Sequence, residues 1–89
     1  MNTGSNNQPR IIRKPEVLQM TGLSKSTLYN RNQEGSFPPP INLGGRSVGF
    51  VQSECVITLQ AMIEGQTTEQ IKSLVKQLII DRTTNKGEL

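Results

Sequence analysis

Apolar residues fall along this chain in short, separated blocks, and their spacing predicts four helices with a hairpin between the second and the third. The clearest block is the last. Ile71, Leu74, Val75, Leu78 and Ile79 recur at i, i+3, i+4, i+7 and i+8, which predicts an amphipathic helix from about Thr68 to Arg82. Thr67 and Gln70 stand in the T-x-x-Q spacing of a capping box at its start. Before it, Cys55, Val56, Ile57, Leu59, Ala61, Met62 and Ile63 cover more than one stripe of a helix from about Glu54 to Glu64. That breadth predicts a position central to the core, with Ser53 as N-cap and Gly65 as stop. The first helix carries Val17, Leu18 and Met20, with Leu23 after a turn, and Pro15 suits its first position. The second helix, about Lys25 to Glu34, has one aliphatic residue, Leu28, between a capping Ser24 and a terminating Gly35.

The segments between the helices carry equally definite signals. Arg10-Ile11-Ile12-Arg13 predicts a very short strand, and Pro38-Pro39-Pro40 keeps the chain extended while Phe37 folds back on the core. Ile41–Leu43 and Arg46–Val51 flank Gly44-Gly45, which predicts a hairpin with a two-residue turn. In that register Leu43 faces Arg46 and Ile41 faces Val48, so Ile41, Leu43, Val48 and Phe50 share an inner face and Arg46 stands at the tip. The expected organisation is a flexible lead (1–9), a winged helix-turn-helix domain (10–65), a C-terminal amphipathic helix (66–82) and a disordered tail (83–89). The fold class is mainly α with a small β-hairpin.

Composition changes this picture chiefly by exclusion. The absence of histidine and the presence of one cysteine and one aspartate, Cys55 and Asp81, remove the commonest general base and most zinc ligands. No cofactor and no enzymatic activity are therefore expected. A lone cysteine, no secretory signal and no long apolar run predict a cytoplasmic protein that does not engage a membrane. The formal charge is +3, unevenly spread. Residues 1–50 hold six basic residues against two acids, a net of +4, so any polyanion is expected to meet the first half of the chain.

The second helix is the natural contact. Lys25, Ser26, Thr27, Tyr29, Asn30 and Arg31 present many hydrogen-bond donors and two fixed positive charges, and Arg46 adds a third on the hairpin. An α-helix fits the major groove of double-stranded DNA while a hairpin reaches the backbone beside it. Four ordered blocks carry a resemblance. Ile12–Val17 (IRKPEV), Thr21–Tyr29 (TGLSKSTLY), Glu34–Pro38 (EGSFP) and Leu43–Phe50 (LGGRSVGF) resemble the AlpA family of phage-type regulators, whose winged-helix domain is related to those of excisionases and MerR regulators. The resemblance covers about residues 11–63. It implies a sequence-specific DNA-binding transcriptional regulator of prophage or mobile-element type, with Lys25, Ser26, Thr27, Tyr29 and Asn30 on the recognition helix and Arg46 on the wing. It equally admits an excisionase-like accessory factor that bends DNA for a recombinase. This chain departs from the family pattern at Asn30, commonly arginine, at Asn32, commonly aliphatic, and at Phe50 and Thr58, commonly tryptophan. Asn30 suits adenine where arginine suits guanine. Asn32 is expected to thin the core face of its helix, and Thr58 the docking of the third.

Plainer readings stand beside these. Lys25 and Arg31 as solvated charges, Tyr29 as a half-buried core aromatic and Arg46 as a guard against strand pairing are all compatible with the sequence. Cys55 reads as a core residue. The stripe of the fourth helix either packs on its own domain or dimerises through Ile71, Leu74, Val75 and Leu78. A protein-binding adaptor using that stripe or the proline segment is the alternative from a different functional class.

Overall fold

The computed structural model describes residues 9–87. All but the last residue of the expected N-terminal lead lies outside that range. The elements run β1 (Ile11–Ile12), α1 (Lys14–Thr21), α2 (Lys25–Glu34), β2 (Ile41–Gly44), β3 (Ser47–Val51), α3 (Gln52–Ile63) and α4 (Thr68–Gly87). This is a winged helix-turn-helix followed by one long helix.

The helix-turn-helix is fixed by local chemistry. α1 ends where Gly22 takes φ 76° and its N–H bonds the Leu18 carbonyl at 2.8 Å. The Thr21 hydroxyl donates to the Val17 carbonyl and accepts from the Leu23 N–H, which tightens the three-residue turn. Ser24 then caps α2, and Gly35 ends it in the left-handed conformation. The two helices close on the main core with the sheet and α3: Ile12, Val17, Leu28, Phe37, Phe50 and Cys55 are buried together, with Leu18, Met20, Leu23 and Met62 packed around them.

The sheet has three antiparallel strands in the order β1-β3-β2, so the short N-terminal strand covers the inner edge of the hairpin. Ile11 pairs with Val51 and Ile12 with Phe50. The hairpin register differs from the expected one. Ile41 pairs with Gly49, Asn42 with Val48 and Gly44 with Ser47, with a bulge between Asn42 and Gly44. The turn is therefore Gly45-Arg46 rather than Gly44-Gly45. Asn42 Oδ1 accepts the Gly44 N–H at 2.8 Å, which stabilises the bulge, and Gly45 takes φ 57° at the first turn position. The anticipated inner face dissolves with that shift: Phe50 is buried, but Leu43 and Val48 are exposed.

α3 follows β3 without a break. It begins at Gln52 with Val51 at the N-cap and no side-chain cap, so Ser53 does not have the expected role. Instead the Gln52 N–H bonds the Arg10 carbonyl at 2.8 Å, using the N-terminal strand as the partner of the helix end. The buried face of α3 is Glu54, Cys55, Thr58 and Ala61, while Val56, Ile57 and Ile63 are exposed. Thr58, far from loosening the docking, is fully buried with its hydroxyl on the Glu54 carbonyl.

The predicted capping box opens α4. Thr67 Oγ1 accepts the Gln70 N–H and Gln70 Oε1 accepts the Thr67 N–H. Ile71 and Val75 pack on Ala61, with Met62 and Leu74 beside them. Ile71 and Val75 of the stripe are thus buried on its own domain, Leu74 and Leu78 are half-buried and Ile79 is exposed. Of the tail expected to be disordered (83–89), residues 83–87 continue the helix to Gly87, with the Thr83 hydroxyl on the Ile80 carbonyl, and residues 88–89 lie outside the described residues.

Candidate nucleic-acid interface

α2 presents its polar face because Leu28 alone is anchored in the core. Its start is over-determined: Ser24 Oγ accepts the Thr27 N–H at 3.2 Å and donates to Thr27 Oγ1 at 2.9 Å, with Ser26 Oγ 3.4 Å away. Lys25, Ser26, Tyr29, Asn30 and Gln33 are exposed along the outer face, and Thr27 is half-buried within the cap. Tyr29 is 61% exposed, which excludes a half-buried core role.

The candidate residues do not all share one face. Lys25, three residues before Leu28, and Arg31, three after it, stand on opposite flanks of the buried stripe. Arg31 is half-buried there, away from Lys25 and Tyr29. Arg46 is exposed in the hairpin turn.

Between α2, the start of α1 and the wing lies an open groove of about 380 Å³ whose walls include Arg13, Lys14, Tyr29, Gln33, Pro40 and Val48. Arg13 and Lys14 belong to the basic first half of the chain, and the sequence pattern assigns them to no site. What brings them to α2 is the β1–β3 pairing, which holds the N-terminus of α1 beside the wing. Among the described residues the ion pairs are Arg10–Glu16 and Arg82–Glu54. Arg13, Lys14, Lys25, Arg31 and Arg46 enter neither, and all of them but the half-buried Arg31 are exposed.

The spacer between α2 and the wing is held from two sides. Asn32 Nδ2 donates to the Phe37 carbonyl at 3.3 Å and to the Pro38 carbonyl at 3.1 Å. Asn32 therefore ties α2 to the spacer rather than thinning its core face. Arg82 Nη2 donates to the Pro39 carbonyl at 2.9 Å while the same guanidinium grips Glu54.

A family model described as prophage CP4-57 regulatory protein (AlpA) matches residues 10–56, from the start of the sheet into α3. The chain belongs to the AlpA family. Within the curated proteins it is 41% identical over 59 residues to an uncharacterised protein, ORF88, of Enterobacteria phage P4, covering 66% of this chain and 67% of that one. It is also 35% identical over 51 residues to the DNA-binding transcriptional activator AlpA of Escherichia coli (strain K12), covering 51% of this chain and 73% of that protein. No solved structure matches at a significant level. The family match contains α1, α2, the wing and every candidate contact residue; α4 lies beyond it.

Proposed function

We propose that this chain is a transcriptional regulator of prophage type that binds double-stranded DNA, with α2 in the major groove and the Gly45-Arg46 wing tip on the adjoining backbone. The observation that carries the reading is the outer face of α2. Lys25, Ser26, Tyr29 and Asn30 are exposed on a helix rigidly capped at both ends, beside a wing whose arginine enters no ion pair among the described residues. Such a face offers base-reading donors from Asn30 and phosphate contacts from Lys25 and Arg46. The groove adds Arg13 and Lys14 as backbone contacts on the same side. The activator of Escherichia coli, named for DNA binding, supports the assignment by likeness.

A single module of this size buries only about 600–1,000 Å² on DNA, so function is expected to need tandem sites, a dimer or a helper protein. The test is selection of bound fragments from random duplex DNA, followed by footprinting of the selected site. Enrichment of a defined sequence whose retention is lost with Lys25→Ala plus Asn30→Ala is the expected result. Equal retention of selected and scrambled duplexes would overturn the reading.

A further inference from the structure

The proline spacer has an unusual hydrogen-bonding inventory. Pro38, Pro39 and Pro40 have no N–H, so that stretch can offer only carbonyls. Three consecutive carbonyls, those of Phe37, Pro38 and Pro39, are each taken by a side chain from a helix: the first two by Asn32 of α2, the third by Arg82 of α4. β2 begins at Ile41, immediately after the spacer. β3, the other half of the hairpin, runs directly into α3, whose Glu54 accepts from that same Nη2 at 2.6 Å and from Arg82 Nε at 2.7 Å. The two roots of the wing are thus joined through one arginine, and one root is tied to α2 through one asparagine.

We propose that Asn32 and Arg82 are positioning residues that set the orientation of the wing relative to α2, and that α4 acts on DNA binding through Arg82 without itself touching DNA. The consequence for DNA rests on the function proposed above; the consequence for the wing does not. β-pairing fixes β2 to β3 and the end of β3, at Phe50 and Val51, to β1, but none of these pairs bears on the spacer from which β2 starts, and the tip beyond Gly49 can still rock on that side. The tethers act against that rocking because they bear on the backbone just before β2, where a small rotation is amplified at Arg46. Lysine at position 82 could not replace arginine, since the grip needs several donors held in one plane.

Two measurements separate the parts of the claim. The first uses the free protein: residual dipolar couplings of the amides of Gly44, Gly45 and Ser47 against those of α2, in the parent, in Asn32→Ala and in the double variant Glu54→Met plus Arg82→Met, which removes the tether without leaving a buried charge alone. Wing and helix couplings are expected to fit one common orientation in the parent and to lose it in both variants while the couplings within α2 stay unchanged. A common orientation retained in all three overturns the proposal. The second uses the selected duplex. Arg46→Ala is expected to weaken binding about tenfold in the parent and less than twofold in the untethered double variant, and Arg82→Lys is expected not to restore the parental value. An equal effect of Arg46→Ala in both backgrounds overturns the link to DNA. Should the parent bind no duplex, the functional reading fails, and the dipolar couplings still decide the positioning role.

Discussion

Arg82 reaches back 28 positions in the chain to Glu54, donating from Nε to Oε2 at 2.7 Å and from Nη2 to Oε1 at 2.6 Å. The Glu54 side chain is 7% exposed and that of Arg82 24%. The hydrogen bond to Glu54 raises the guanidinium above its ordinary pKa, with burial opposing. Such a fork-to-fork pair is directional, and it locks the far half of α4 onto the first turn of α3.

Arg82→Ala leaves the Glu54 carboxylate buried without its partner, and the cost is expected to be about 3 kcal/mol, read as a lower urea midpoint with an unchanged slope. Replacing both residues by methionine should cost clearly less than Arg82→Ala, because no charge is then stranded. A double variant as unstable as the single one would show that packing, not the ion pair, dominates.

Gly49 lies on β3 where the sheet is tightest. A Cβ there would run into Ile11 Cγ2, and would stand 3.2 Å from Leu43 Cδ1 and 3.4 Å from the Ile12 carbonyl oxygen. Ile11 is β-branched and held by its pairing with Val51, so it cannot swing aside. Gly49→Ala is expected to lower stability by about 1–3 kcal/mol, by thermal or urea unfolding. An unchanged midpoint would mean that β1 is not held against β3 in solution.

How far the sequence foretold the fold depends on the range of the signal. The Ser24 cap, the Gly35 stop and the Thr67–Gln70 box are short-range devices, and each is found where the sequence places it. The hairpin register was not legible, because one side-chain bond from Asn42 to Gly44 and the approach of Ile11 to Gly49 decide it. Asn32 shows the same limit in another form. Set against a family pattern it reads as a missing apolar contact, and only the neighbouring carbonyls of Phe37 and Pro38 give its amide a purpose. The polar face of α2 was legible residue by residue. That Arg31 leaves it while Arg13 and Lys14 approach it depends on how α1 and β1 pack, which spacing along the chain does not encode.

Cys55 makes stability sensitive to alkaline pH. Burial, with the nearby Glu54 charge adding to it, pushes the thiol pKa from 9.0 up to about 11. The unfolded chain therefore loses this proton at lower pH than the folded one. The stabilising contribution is complete below about pH 9 and declines as the pH rises towards about 11. Comparing urea midpoints of the parent and Cys55→Ala at pH 8 and at pH 10.5 checks this: the advantage of the parent should shrink at the higher pH. In the folded parent at pH 8 the thiol should also resist a disulfide reagent until urea exposes it.

The central claim is that α2 and the wing grip DNA through a few phosphates and a base-reading face. The most direct test is the salt dependence of affinity for the selected duplex, measured by fluorescence anisotropy between about 50 and 200 mM salt for the parent and for Lys25→Ala plus Arg46→Ala. The four phosphate contacts proposed, from Arg13, Lys14, Lys25 and Arg46, give a log–log slope of roughly −3 to −4, and removing two of them should bring it close to −2. A parental affinity indifferent to salt, or a slope that the double substitution leaves untouched, would contradict the account.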